Sequence, residues 1–277
     1  MALVQKGNGK TETFDQAKLR SSLLKAGATD VLADQVVAET THRLADSQLL
    51  TTTQIYNHAF ATLHHLSKPI AVNYSLKRAL LEFGPDGFPF ERFVAEIFKS
   101  RGYETMVDQT VKGKCVEHEV DVVAWRGDEL IMVEAKFHNE NSYKSDLKVA
   151  LYVKARFEDL GTQKFTYGGV ERNLAKGILV TSTKFTEHAI RYGECQGLSM
   201  IGWNYPVKGN LHDVIYDSRL HPLTGLASLS LVDKKNLLKA GLILCRDITA
   251  HKNDLVGYGI DRDRIPAILE EIASICD

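Results

Sequence analysis

An α/β fold, with a mixed sheet flanked by helices and helical segments before and after it, is predicted by three features of the chain. From about residue 90 to 204, helix-period and strand-period apolar patterns alternate, as they do in a sheet covered by helices. Residues 1–83 show instead a short hairpin followed by four helix patterns. Between the two lies GPDGFPF, 84–90, rich in the glycine and proline of a linker. A chain of 277 residues, 44% of them hydrophobic, is long enough for two domains of about 100–200 residues each, or for two and a small appendage. The expected division is 1–83, 84–215 and 216–277.

Each element has its own signal. LVQK and KTETF flank Gly7-Asn8-Gly9 and read as a hairpin. Asp15 is placed to cap the helix QAKLRSSLLKAG, which stops at Gly27. A second helix runs from about Thr29 to Ala45 on Val31, Val36, Val37 and Leu44. Thr51, Thr52 and Thr53 offer a cap for QIYNHAFATLHHL, and Pro69 opens AVNYSLKRALLEF. After the linker come the amphipathic helix FERFVAEIFKSRGY, a hairpin over 118–138, and the helix SDLKVALYVKARFEDLG. GILVTS then reads as a buried strand, TEHAIRYGECQG as a helix and LSMIGWN as a strand. From Leu220 the chain is helical again. Its last helix, IPAILEEIASIC, presents Ile265, Ile268, Leu269, Ile272 and Ile275, which need a partner surface in this chain or in a second subunit.

Composition narrows the function. The 34 Lys and Arg balance 35 Asp and Glu, for a net charge of −1, which argues against a basic DNA-coating protein but not against a local basic groove. Cys115, Cys195, Cys245 and Cys276 are far apart and lack zinc-ligand spacing, so a reduced intracellular protein is expected. No apolar run reaches the ~18 residues of a membrane span, nor does the start of the chain have a signal-peptide core. The expectation is a cytoplasmic protein with no membrane partner.

The hairpin HEVDVVAWRGDELIMVEAKFH raises a chemical question, because Asp121, Glu134 and Lys136 interrupt strands that are otherwise apolar. With Gly127-Asp128 as a two-residue type II′ loop, Trp125 opposes Leu130, Val123 opposes Met132, and Asp121 opposes Glu134. Like charges opposed across strands are destabilising. Lys136 lies on the Glu134 face. A divalent ion such as Mg²⁺ or Mn²⁺ would compensate both carboxylates, take substrate phosphate as a further ligand and lower the pKa of a bound water. A lysine beside it suits orienting or deprotonating that water. The alternative is a structural Asp–Lys–Glu cluster on a half-exposed face, with Glu119 pairing Lys136. His138 continues the same face, as a substrate contact or a polar strand end. In the next helix Lys144, Lys148, Tyr152 and Arg156 recur at i+4, with Lys154 nearby. They form either a stripe that tracks DNA phosphates or a solvated face.

Asp121 with Glu134-Ala135-Lys136 resembles the D…ExK signature of the PD-(D/E)XK nuclease superfamily, and within it the Mrr-like restriction endonucleases; Val120 stands where the name has proline. FPFERFVAEIFKSRGYET resembles that group's first helix, and KGILVTSTKFTEHAIRYGECQGLSMIGWN its later strand–helix–strand. The resemblance covers 84–215. It implies a restriction-endonuclease-like fold. Asp121, Glu134 and the Ala135 carbonyl would hold Mg²⁺, Lys136 would position the attacking water, and Glu91, with Glu96 as competitor, would assist at the metal. In-line cleavage of double-stranded DNA would leave a 5′-phosphate.

VQKGNGKTETFDQAKLRSSLLKAG, followed by TTTQIYNHAF and AVNYSLKRAL, resembles the ATP-cone, a nucleotide-sensing module, over residues 3–82. The matching positions are Lys6, Gly9, Phe14-Asp15 and Lys18-Leu19, with Gly7 where the family usually has arginine. The resemblance implies ATP or dATP as a regulatory ligand. Lys6 and Lys18 would supply charge to the triphosphate, the helix start behind Asp15 would donate N–H groups, and Glu12 would take a sugar hydroxyl. The alternative is a scaffold for oligomer contacts. HPLTGLASLSLVDKKNLLKAGLILCRDI resembles a helix-hairpin-helix with Gly241 in the turn, suited to DNA contact, packing or dimerisation. The chain is thus expected to be a nucleotide-regulated, metal-dependent DNA endonuclease, plausible in restriction or phage defence and able to cut two strands as a homodimer. The alternatives are an inactive, nucleotide-gated DNA-binding regulator that keeps the same fold, and a structural protein.

Overall fold

A computed structural model of the protein describes residues 3–6, 9–45, 49–140 and 142–276. The expected loop residues Gly7 and Asn8 lie outside these. Strands β1 (Leu3–Gln5) and β2 (Thr11–Thr13) pair antiparallel, as a hairpin should. Helix α1 (Gln16–Lys25) starts on Asp15, whose carboxylate accepts from the N–H groups of Ala17 and Lys18. Helix α2 (Asp30–Arg43) starts on Thr29. A strand that local patterning does not announce, β3 (Leu49–Thr51), joins β1 in parallel and makes a three-stranded sheet. Thr51 then caps α3 (Thr52–Leu66) through a reciprocal capping box with Gln54. Pro69 sits in the first turn of α4 (Lys68–Leu81), where its missing N–H costs nothing.

The next helix, α5 (Phe88–Ser100), begins two residues before the expected start at Phe90, because Pro89 favours the first turn rather than ending the linker. A five-stranded sheet follows, in the order β12-β10-β6-β5-β4. Its members β4 (Glu104–Lys112), β5 (Glu117–Arg126) and β6 (Glu129–Lys136) form an antiparallel meander. A two-residue strand, β7 (Lys144–Ser145), precedes α6 (Leu147–Leu160). The hairpin β8 (Lys164–Tyr167) and β9 (Val170–Asn173) turns at Gly168 and Gly169, both at positive φ. Strand β10 (Lys176–Thr181) lies parallel to β6, and β11 (Lys184–Phe185) parallel to β7. Helix α7 (Glu187–Gln196), with Gly197 as its left-handed C-cap, leads to β12 (Ser199–Ile201), parallel to β10.

Two apolar layers sandwich this sheet. Phe90, Phe93 and Phe98 of α5 and Leu211 and Ile215 of α8 (Leu211–Asp217) cover Val122, Ala124, Ile131 and Val133 on one face. Ala150, Val153 and Phe157 of α6 and Ala189 of α7 cover Val123, Trp125, Leu130 and Met132 on the other. The hairpin strands are buried on both faces, which is why they read as nearly continuous apolar runs.

The C-terminal helices α9 (Leu231–Lys239), α10 (Cys245–Ala250) and α11 (Ile265–Cys276) build a third core. Ile268, Ile272 and Ile275 of α11 pack with Leu237, Ile248 and Leu255, and Val72 of α4 joins them. The partner of the final apolar face is therefore its own segment. Gly241 does occupy the turn between α9 and α10, at φ +84. Lys239 and Ala240 of that turn are exposed, while Gly241 meets the sheet domain. Arg92 of α5 donates to the Gly241 carbonyl at 3.3 Å, and a Cβ added to Gly241 would lie 2.2 Å from Nη1 of Arg92. Gly241 thus ties the turn to α5.

Candidate active site

Asp121 stands on β5, and Glu134 and Lys136 on β6. The loop between the strands sets how they meet. Gly127 has φ +56 while Asp128 is not at positive φ, as a type II′ turn requires and a type I′ turn does not. The register pairs Arg126 with Glu129, Trp125 with Leu130 and Val122 with Val133, so one further step brings Asp121 alongside Glu134. There the sheet opens. Strand β4 pairs with β5 at Val107–Val122 and again at Gln109–Val120, skipping Asp108 and Asp121, and Asp108 sits at φ +53. Aspartate is among the few residues that accept this conformation. Side-chain alternation resets at the break: Val122 belongs to the α5-side core, yet Val120 joins Val123 on the α6 side.

Glu134 is 2% exposed. A desolvated carboxylate needs partners, and it has two. Lys136 Nζ holds one oxygen and Arg156 Nη1, from α6, holds the other. Arg156 also donates to the Glu119 carbonyl at 2.8 Å and to the Tyr152 hydroxyl at 2.6 Å. Lys136 thus pairs with Glu134, not Glu119. Asp121 Oδ2 accepts from the Ala135 N–H at 2.6 Å. Burial, and then the Glu134 charge, pushes Asp121 up to about 6. Glu91, in the first turn of α5, is raised to about 7 by burial, then by Asp121 and Asp108. Four carboxylates, Glu91, Asp108, Asp121 and Glu134, therefore share one field, which Lys136 and Arg156 offset only in part. Glu96 faces elsewhere, paired with Lys99 and Arg246, each at 2.7 Å.

A divalent cation suits this excess of negative charge. Among the described residues no three His, Cys, Asp or Glu side chains are gathered closely enough to hold a metal by themselves. Mg²⁺ asks for less, since one or two carboxylates suffice with water and substrate phosphate. Asp121 and Glu134 are the side chains that would supply them.

The remaining expected positions are dispersed. Lys144 is on β7, in register with Lys184, and not on the helix. Asp146 caps α6 by accepting from the N–H groups of Lys148 and Val149, so the helix begins beyond Lys144 and the i+4 stripe is broken. Lys148 and Tyr152 are exposed on α6, Lys154 pairs with Glu158, and Arg156 turns inward to Glu134. His138 is tied down: its N–H donates to Ser182 Oγ at 2.9 Å and its Nε2 meets Ser145 Oγ at 3.1 Å. In the N-terminal module Glu12 takes both lysines expected to meet a triphosphate, Lys6 at 2.6 Å and Lys18 at 3.2 Å. These bonds hold Glu12 below the usual carboxylate range. Phe14 packs into the adjacent cores, and Gly9 is at φ +78.

Asp108 and the inward role of Arg156 escape sequence reasoning. Asp108 lies on a strand with no announced signal, and Arg156 reads as an ordinary surface position until burial is known.

Residues 85–202, which hold the helix, meander and closing parallel strands around these charges, match the restriction endonuclease family. Residues 221–276 match the family described as AF1548-like, C-terminal. An uncharacterized protein of Archaeoglobus fulgidus is 34% identical over 186 residues, which cover 66% of this chain and 99% of that protein. The chain belongs to this AF1548-like family. The crystal structure of the protein of unknown function AF1548 is 32% identical, covers 68% of this chain and 97% of its own, and superposes with a TM-score of 0.55. The MspJI restriction endonuclease in complex with a 27-mer oligonucleotide, at 15% identity, 53% of this chain, 35% of that one and a TM-score of 0.31, overlaps too loosely to carry an argument. Both matched segments lie beyond the first 84 residues. Among the described residues no helix is long and apolar enough to cross a membrane.

The site charge makes a testable demand on stability. Between about pH 4.5 and 7 the folded protein keeps the Glu91 proton that the unfolded chain has released, so stability falls as pH rises through that window. In EDTA, Glu91→Gln should therefore be more stable than the parent protein at pH 8, by a margin that disappears below pH 4.5. Thermal melts of the two proteins across this range check it. A margin independent of pH would remove the argument.

Proposed function

We propose that the protein is a metal-dependent endonuclease that hydrolyses phosphodiester bonds of double-stranded DNA, with a role in restriction or phage defence. One observation carries the reading: Asp121, Glu134 and Lys136 converge beside Glu91 where the sheet of a restriction endonuclease domain opens. Mg²⁺ or Mn²⁺ would be held by Asp121, Glu134 and the Ala135 carbonyl, and when bound would supply charge to the phosphate and acidity to a water. Lys136 Nζ positions the attacking water. The Ala135 N–H orients Asp121, and Arg156 keeps Glu134 from turning. Glu91 holds a proton near neutral pH and releases it when positive charge arrives. Titration of the protein with Mn²⁺, followed by calorimetry, tests the donor set. Binding that is unchanged in Asp121→Asn and Glu134→Gln would reject it.

Arg156 acts through Glu134 and is a positioning residue. Outer-shell partners of this kind are worth about 10–100-fold in activity. Arg156→Ala should lower the cleavage rate by that factor at saturating Mg²⁺, with Arg156→Lys partly restoring it. Full-rate cleavage by the alanine variant would show that the clasp is dispensable.

The N-terminal module is proposed to bind ATP or dATP through Lys6 and Lys18, with Gly9 and Phe14 shaping the site and Glu12 released to the ribose. Regulation of cleavage would follow from that binding. Calorimetric titration with each nucleotide checks it, and the absence of binding by both removes it. A dimer is proposed as the cutting form, to be checked by light scattering with DNA present.

A further inference from the structure

Beside the catalytic carboxylates lies a cavity of about 350 Å³ that the proposed hydrolysis leaves unused. Pro85, Phe137, His138, Asn139, Glu140 and Tyr143 line it. Phe137 and His138 directly follow Lys136 at the end of β6. Gly87 lies between Glu91 and the lining residue Phe137: a Cβ built there would lie 3.3 Å from Glu91 Oε1 and 3.9 Å from Phe137 Cβ.

The lining chemistry selects an occupant. Phe137 is fixed against Phe90, with ring centroids 5.9 Å apart. His138 is held by Ser145 and Ser182, and its ring lies 4.2 Å from that of Tyr143, tilted by 37°. Tyr143 is 56% exposed, so an aromatic face stands open at the mouth. The Asn139 amide and the Glu140 carboxylate add polar groups to the lining. Among the described residues no lysine or arginine lines the cavity, and Glu140 would repel a phosphate. Flat aromatic walls with an amide and a carboxylate beside them suit a planar ring with N–H groups at its edge. Side chains of these types read the amino edges of adenine and cytosine.

We infer that this cavity receives an unstacked nucleobase of the substrate strand, beside the phosphate to be cut. The inference rests on the nuclease reading. It makes the protein select sites where a base leaves the helix cheaply, because extrusion costs least at a mismatched or unpaired base.

The test uses the full chain in EDTA, so that no strand is cut, and duplexes carrying a mapped cleavage site with the adjacent base either matched or mismatched. The parent protein is expected to bind the mismatched duplex about tenfold more tightly, within the range for stacking one base on an aromatic side chain. Tyr143→Ala should lose that preference and Tyr143→Phe should keep it. Both substitutions are at an exposed position, so folding is preserved. Equal binding of the two duplexes by the parent protein, or a preference that survives Tyr143→Ala, overturns the assignment alone. Failure to bind any DNA overturns the nuclease reading and this assignment with it.

Discussion

Replacing Lys136 by alanine is expected to lower plasmid cleavage by about 10²–10⁴-fold, the range for losing a positioned general acid–base group. The substitution removes two things together. Lys136 Nζ is the cation beside one Glu134 oxygen and the group proposed to place the attacking water. Glu134→Ala should be at least as damaging, since it deletes a proposed metal donor and leaves Lys136 and Arg156 without their shared anion. The comparison is made with Mg²⁺ and with Mn²⁺, with and without ATP or dATP. Cleavage that survives both substitutions would sink the assigned site. Absence of cleavage by the parent protein under every condition, with DNA binding retained, would favour an inactive DNA-binding regulator on the same fold.

The second large effect is on stability. Phe93 is fully buried in α5, its ring 5.6 Å from Phe83 and 6.5 Å from Phe90. Phe93→Ala should cost about 3–5 kcal/mol, through lost burial and the cavity left behind. The consequence reaches the candidate site, because α5 also carries Glu91 to the carboxylate cluster and Arg92 to the Gly241 turn. A drop in the urea midpoint, with cleavage lost in parallel as the protein unfolds, is the expected result. A cost below about 1 kcal/mol would mean that α5 is not packed as described.

Arg156 and Lys144 show where reading the chain succeeds and where it stops. Along YKSDLKVALYVKARFEDLG both positions have the same polar character and fall on the same i+4 spacing. Whether a cation faces DNA, water or a buried carboxylate depends on what packs against it, and spacing carries no record of that. Asp146 adds a local rule that overrides the periodicity, since its cap starts the helix too late to include Lys144. Edge strands are hard to detect for a related reason. Strand β4 alternates only between exposed and half-buried positions along most of its length, so its hydrophobic signal is weak.

What the sequence determined by itself is the hairpin at the centre of the site. Gly127 at the first loop position sets the turn, and the turn sets a register that brings Asp121 alongside Glu134, with Lys136 two residues further along β6. These are interactions between residues close along the chain, where local chemistry suffices. Only the tertiary structure decided the rest of the site. The break in the sheet at Asp108, the approach of Glu91 from α5, the clasp of Arg156 from α6 and the docking of the Gly241 turn all join residues distant in sequence. Such contacts follow from which surfaces must be buried together, a property of the whole packed chain rather than of any segment.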